Sequence, residues 1–125
     1  MIGYVTLGTH DLPRAAAFYD ALLAELGGKR FLDTEQYIAW MAGEDQAGLG
    51  LTYPQNGEPA SVGNGTMVAL AADSPAKVDA VYRKAIELGA QCEGPAGPRE
   101  SGFYAGYFRD LDGNKLNVFY MSAAQ

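Results

Sequence analysis

One segment of the second half, residues 67–89 (MVALAADSPAKVDAVYRKAIELG), repeats the pattern of residues 4–27 (YVTLGTHDLPRAAAFYDALLAELG) in the first half. In each copy a short apolar run leads to an Asp, a Pro follows, an amphipathic stretch carries a Tyr, and Leu-Gly ends it. Tyr19 and Tyr82 are 63 residues apart, the same distance as between the first residues of the two segments. Such self-similarity indicates a duplicated module, and with only two copies it predicts a pseudo-symmetric domain and not a solenoid.

Length and composition favour one globular domain covering residues 1–125. Hydrophobic residues make up 48% of the 125 positions, which is enough to build a core. We find no apolar run of about 18 residues and no basic N-terminal segment followed by a long apolar stretch, so we expect neither a membrane span nor a secretion signal. The expected location is therefore the cytoplasm.

Charge and the scarce metal-binding residue types restrict the function classes. A net charge of -6, with scattered Lys and Arg, argues against a nucleic-acid partner, because phosphate binding needs clustered cations. The single cysteine, Cys92, cannot form an internal disulfide, and the single histidine, His10, cannot by itself build a nitrogen-rich metal site.

The first module, residues 1–54, is predicted to contain one strand, one helix and then three strands. Asp11 supplies N-cap chemistry, Pro13 fits the first helical turn, and apolar residues then recur at spacings of three and four until Gly27 permits a left-handed cap. The predicted strands are residues 2–7, 29–33, 37–41 and 48–53, and the predicted helix is residues 13–26.

Residues 55–65 are rich in Pro, Gly and Asn and are predicted to be a linker. The second module, residues 66–122, opens with a strand and a helix that has Ser74 at its N-cap and Gly89 after its end. A Gly- and Pro-rich segment follows, and a hairpin closes the module. The predicted strands are residues 66–71, 103–108 and 115–121, with residues 94–102 as the Gly- and Pro-rich segment.

The two modules together predict an α+β fold with two βαβββ modules in tandem. A single four-stranded sheet cannot bury its own apolar face and needs a second layer to cover that face. We therefore expect two curved mixed sheets that face each other, with helices outside and a cleft between them lined by alternate side chains.

Three segments resemble the vicinal oxygen chelate superfamily, which includes glyoxalase I, extradiol dioxygenases and the bleomycin and fosfomycin resistance proteins. They are residues 4–27, residues 63–82 (GNGTMVALAADSPAKVDAVY) and residues 106–120 (GYFRDLDGNKLNVFY). The resemblance covers essentially the whole chain and implies the glyoxalase/bleomycin resistance/dioxygenase fold. It also implies a homodimer.

The resemblance further implies a divalent metal held by side chains from the first and last strands of each module. Those positions fall on Tyr4, Met67 and Asn117, with Gly50 or Thr52 as the fourth. None of these residues offers an imidazole, carboxylate or thiolate, which are the ligands that transition metals prefer. We therefore predict no metal and no cofactor.

Aromatic residues on the predicted strands suggest an apolar pocket with a few hydroxyl and amide groups, and core packing is the alternative role for them. The predicted function is binding of a small aromatic or cationic molecule, similar to the resistance branch of the superfamily. The alternatives are a metal-dependent lyase or isomerase of glyoxalase type, with Tyr4 as an acid–base group, and an interaction module that uses open sheet edges. The residues expected to line the ligand cleft are Tyr4, Trp40, Thr52, Met67, Tyr104 and Asn117.

Overall fold

The computed structural model describes residues 1–122 and contains two βαβββ modules in tandem. Each module consists of a four-stranded mixed sheet and one long helix. The chain divides into two compact units between Val62 and Gly63, a position inside the predicted linker. The predicted α+β class and the tandem βαβββ arrangement are confirmed.

The first unit builds its sheet in the order β1-β4-β3-β2. Strand β1 runs parallel to β4, whereas the β4–β3 and β3–β2 pairs are antiparallel. The elements are β1 (Tyr4–Gly8), α1 (Leu12–Ala24), β2 (Lys29–Asp33), β3 (Tyr37–Met41) and β4 (Gly48–Thr52).

The second unit repeats this topology with the order β5-β8-β7-β6. Strand β5 is parallel to β8, and the other two pairs are antiparallel. A short 3-10 turn, Glu100–Gly102, precedes the closing hairpin. The elements are β5 (Val68–Ala71), α2 (Pro75–Glu87), β6 (Gln91–Pro98), β7 (Phe103–Arg109) and β8 (Lys115–Met121).

Both helices begin and end as their sequences indicate. The side chains of Asp11 and Ser74 each accept a hydrogen bond of 3.1 Å from the backbone N–H three residues later. Gly27 and Gly89, which follow the helices, have φ angles of 81° and 103°, values that favour glycine. Each helix has 13 residues. Within residues 1–122, no helix is long and apolar enough to cross a membrane.

Strand β6 was not predicted from the sequence. The prediction was a Gly- and Pro-rich segment over residues 94–102 with no strand before it. The pairing of β6 with β7 has register shifts between Cys92 and Gly94 and between Gly94 and Gly97. β6 is an edge strand with no neighbour on its outer side. A proline, which has no backbone N–H, therefore loses no inter-strand hydrogen bond where it faces that side. Irregular pairing of this kind leaves no clean alternation in the sequence.

The helix-facing core of the first unit centres on Trp40, which is only 2% exposed. Its ring lies 5.9 Å from that of Tyr19 in α1, and its Nε1 donates a hydrogen bond of 2.8 Å to Oδ1 of Asp20. Arg30 of β2 also donates to both carboxylate oxygens of Asp20, at 2.9 and 2.7 Å. One carboxylate therefore ties α1 to two strands of its sheet.

The same contacts shift the ionisation of Asp20. The hydrogen bond from Arg30 is the main cause that lowers the pKa of this carboxyl, with the Trp40 hydrogen bond and the charge of Arg30 adding to it, while partial burial opposes the shift. A second ion pair, of 2.9 Å between Arg30 and Asp33, holds the guanidinium in place. Ionised Asp20 is therefore favoured in the folded state.

Replacement of Trp40 by Phe should lower the free energy of unfolding by about 2 kcal/mol. The change removes the hydrogen bond to a charged acceptor and leaves part of the indole volume empty. Urea denaturation followed by far-UV circular dichroism measures this difference. The control Tyr4→Phe, at a mostly exposed position, should stay within about 0.5 kcal/mol of wild type. Equal stabilities of Trp40→Phe and wild type would contradict the assigned role.

Asp20 should stabilise the fold in a pH-dependent manner. Because its pKa is lower in the folded than in the unfolded chain, its contribution is present above the unfolded value of about 4 and is lost as the pH falls through the folded value. The stability difference between wild type and Asp20→Asn should therefore shrink between about pH 5 and pH 2. A stability difference for Asp20→Asn that stays constant with pH would refute the assignment.

Candidate functional site

Each sheet has one face packed against its helix, and its opposite face is here called the distal face. Residues opposite each other on neighbouring strands share a face, and residues two apart on one strand do as well. Tyr4 lies opposite Gly48, and Tyr37 lies opposite Thr52. Gly48 and Thr52 are four positions apart on β4, so all four residues lie on the distal face of the first sheet.

Trp40 and Tyr104 lie on the helix side of their sheets, which corrects the expectation that they line the ligand site. Trp40 donates to Asp20 of α1, and the hydroxyl of Tyr104 donates a hydrogen bond of 2.7 Å to Asp79 of α2. This bond to Asp79 raises the pKa of Tyr104. Both side chains are used to attach a helix to a sheet, and the aromatic residue type alone did not reveal this.

Tyr37 covers the centre of the first distal face. Its hydroxyl is hydrogen-bonded to that of Thr6 at 3.2 Å. A Cβ atom added at Gly50 would clash with the Tyr37 hydroxyl oxygen, so the phenol occupies the space in front of Gly50. Gly50 is one of the two positions at which the family resemblance places the closing metal ligand of this module. An aromatic hydroxyl therefore stands where a ligand side chain would project.

A groove of about 1000 Å³ lies beside Tyr37 and Thr52. Its other walls include His10 from the turn before α1 and the polypeptide that follows β4, in which Glu58 supplies a carboxylate. Thr52 of this groove belongs to the residues predicted to bind a ligand. The first unit thus has a concave surface that combines aromatic rings, hydroxyls and one acidic group.

Two contacts hold the polypeptide after β4 against the rest of the unit. The hydroxyl of Tyr53 accepts a hydrogen bond of 3.0 Å from the backbone N–H of Leu12 at the start of α1. At Gly8, a Cβ atom would approach the Cβ of Ala60 to 3.1 Å, so the backbone at the end of β1 is in close contact with this segment. These contacts give the groove a fixed wall.

The distal face of the second sheet carries Asn117 opposite Tyr107. Asn117 is 1% exposed, and within residues 1–122 its Oδ1 has no hydrogen-bond partner. A buried acceptor without a partner costs about 1–3 kcal/mol, so such an atom is a candidate for contact with a donor on a ligand. Phe103 and Phe119 stack on the same face with ring centroids 5.4 Å apart.

Met67 directly precedes β5 and is 41% exposed, and Tyr4 in the first unit is 67% exposed. Contact of these two residues, Thr52 and Asn117 with a ligand stays a prediction. Sequence reasoning did not select Tyr37, although alternation along β3 together with its pairing to β4 would have placed it beside Thr52. It also did not select Glu58, which lies in irregular polypeptide without a periodic signal.

The residues at the family's metal positions do not fit a transition metal. Tyr4, Met67, Asn117 and either Gly50 or Thr52 provide only weak, neutral donors or none. In the part of the chain that the structure describes, no group of three or more His, Cys, Asp or Glu side chains could hold a metal ion. We therefore derive no chemical step through a metal.

Comparison with known proteins supports this architecture. The crystal structure of a glyoxalase/bleomycin resistance protein from Albidiferax ferrireducens T118 is 36% identical, with a TM-score of 0.90 over 98% of this chain and 99% of that one. Lactoylglutathione lyase from Agrobacterium tumefaciens is 26% identical, with a TM-score of 0.71 over 96% of this chain and 92% of that chain. No curated protein sequence matches the chain.

A more distant structure shares the fold alone. It is a glyoxalase/bleomycin resistance protein/dioxygenase family enzyme from Burkholderia phytofirmans PsJN, 16% identical, with a TM-score of 0.76 over 96% of this chain and 98% of that one. The model of the Glyoxalase/Bleomycin resistance protein/Dioxygenase superfamily matches residues 1–118. With the tandem βαβββ topology, this match shows that the chain belongs to the glyoxalase/bleomycin resistance protein/dioxygenase superfamily.

Proposed function

We propose that this chain is a metal-free member of its superfamily that binds a small aromatic or cationic molecule. The observation that carries the proposal is the donor set at the family's metal positions, which lacks imidazole and carboxylate groups and in which Tyr37 fills the space in front of Gly50. A surface that has replaced metal ligands with a phenol retains the capacity to bind flat molecules, because aromatic rings stack.

The charge of the first unit supports a cationic ligand. Residues 1–62 carry three basic and eight acidic side chains, a net charge of -5 with His10 neutral. A negative field of this size attracts cations and raises their local concentration. Glu58 lies on the wall of the groove, and Tyr37 and Tyr53 line it as well. A cation over an aromatic ring gains about 0.5–2 kcal/mol, depending on its desolvation.

A homodimer, a cytoplasmic location and the absence of a nucleic-acid or membrane partner belong to the same proposal. The family resemblance supports the homodimer, and the net charge of -6 argues against a nucleic-acid partner.

The second candidate function is a metal-dependent lyase or isomerase of glyoxalase type. The similarity to the lactoylglutathione lyase from Agrobacterium tumefaciens, at 26% identity, favours it. In that function Tyr4 would act as the acid–base group or as a weak metal ligand, and stronger metal ligands would have to come from residues outside the family's positions. The two candidates differ directly in whether the protein binds a transition metal.

Protein purified without chelators and without a His tag should contain far less than one equivalent of transition metal. Calorimetric titration with Ni²⁺, Zn²⁺, Mn²⁺ and Fe²⁺ should show no tight binding, because neutral donors bind these ions weakly. Near-stoichiometric metal, measured by mass spectrometry of the purified protein, would instead support the lyase or isomerase. The variant His10→Ala checks whether any metal found is held at the single histidine.

A flat organic cation such as N-methylquinolinium should bind in the groove of the first unit. Titration followed by amide NMR shifts at Tyr37 and Thr52 reports on that groove specifically. The variant Tyr37→Ala should weaken binding about tenfold, because it removes the ring on which the cation stacks. Phe31→Ala truncates a half-exposed aromatic residue of the same unit outside the groove and should bind like wild type. Equal affinities of Tyr37→Ala and wild type would rule out this groove.

A further inference from the structure

Two positively charged side chains of the second unit converge on one aromatic ring. The guanidinium carbon of Arg99 lies 5.6 Å from the ring centroid of Tyr107, and Nζ of Lys115 lies 5.7 Å from the same centroid. Tyr107 is on the distal face of the second sheet, opposite Asn117. An anion beside this ring would be attracted by both charges.

Neither cation is paired with a carboxylate in the described part of the chain. Arg99 uses its terminal nitrogens to donate to backbone carbonyls of β6, at 2.8 Å to Pro95, 3.0 Å to Gly97 and 3.4 Å to Pro98. A guanidinium has five N–H donors, so at least two remain available. The side chain of Lys115 shows no hydrogen bond or ion pair within residues 1–122.

A neighbouring arginine shows that pairing is possible on this sheet. Arg109 forms an ion pair of 3.3 Å with Glu93 and donates a hydrogen bond of 2.9 Å to the carbonyl of Gly113. The charge of Arg109 is therefore compensated within the unit, whereas the charges of Arg99 and Lys115 are not. Arg99 and Lys115 thus lack a carboxylate partner even though the chain contains acidic residues that could pair with them.

The backbone of β6 fixes the position of the Arg99 guanidinium. Its carbonyl contacts run to an irregular stretch of β6 that contains Gly94 and Gly97. Cβ atoms at these glycines would lie 3.4 and 3.5 Å from the guanidinium nitrogens. A cation held by backbone carbonyls loses little side-chain freedom when it binds a ligand.

We propose that Arg99, Tyr107 and Lys115 form an oxyanion site, which takes the carboxylate or phosphate group of a small molecule. Arg99 and Lys115 donate charged hydrogen bonds to the oxyanion, and the ring of Tyr107 lies beside the body of the ligand. From residue 63 to the end, the sequence carries six basic and seven acidic residues, a net charge of -1, so repulsion of an anion is weak there.

This inference does not rest on the proposed function. Its three residues lie in the second unit, and binding of a cation in the groove of the first unit is measured at different residues. Failure of one of the two therefore leaves the other intact.

The test is a titration of the full chain with inorganic phosphate and, separately, with benzoate, at low ionic strength. Amide NMR resonances of Tyr107, Lys115 and Asn117 report binding. Saturable shifts with phosphate, with benzoate or with both support the site and identify the oxyanion that it prefers. Lys115→Gln should weaken binding about tenfold, the loss expected for one charged hydrogen bond, with no change in the fold. Arg99→Gln should do the same.

The matched control is Arg83→Gln, which removes one positive charge from an exposed position of α2 on the other side of the sheet. It should bind phosphate and benzoate like wild type. The proposal is overturned if neither anion gives saturable shifts at Tyr107. It is also overturned if Lys115→Gln binds both like wild type, or if Arg83→Gln weakens binding as much as Lys115→Gln does.

Discussion

The central constraint on each module is that one helix covers one face of a four-stranded sheet. This packing assigns every strand residue to one of two roles, because side chains alternate between the faces. Residues on the helix side complete the core, as Trp40 does through Tyr19 and Asp20. Residues on the distal face, such as Tyr37 and Asn117, line the opposite surface of each sheet, where the candidate sites of both units lie.

On the distal faces, the positions that the family resemblance assigns to the closing metal ligands hold a glycine and an amide. In the first sheet Gly50 has no side chain, and the phenol of Tyr37 fills the adjacent space. In the second sheet the corresponding residue of the closing strand is Asn117, which is buried with an unsatisfied oxygen. The pairings Thr6–Gly50 and Ala69–Asn117 between parallel strands support this correspondence. A phenol and an amide provide hydrogen bonds and stacking surface in place of the charge that a metal requires.

The internal repeat, the capping residues and the period-two alternation were sufficient to predict both helices and seven of the eight strands, with limits that differ by up to two residues. The eighth strand, β6, has prolines and shifts of register, and its pairing with β7 depends on tertiary contacts that no local pattern records.

At the candidate site, Tyr4, Thr52 and Asn117 were assigned to positions that lie on the distal faces. Trp40 and Tyr104 were assigned by residue type, but their faces are set by strand register, and both pack on the helix side. Arg99, Lys115 and Tyr107 come together only after the irregular path of β6 is known.

The two units share one topology but differ in net charge. A module with a strictly symmetric copy would present the same chemistry twice, yet the first unit carries a net charge of -5 and the second -1. On the first sheet the residue opposite Gly50 is Ala39, whereas on the second the residue opposite Asn117 is Tyr107, which two cations approach. The helix-side residues take part in core packing in both copies, although their identities also differ, as Trp40 and Phe108 do. In the two proposals the first unit binds a cation and the second an oxyanion, so two copies of one fold unit would serve ligands of opposite charge.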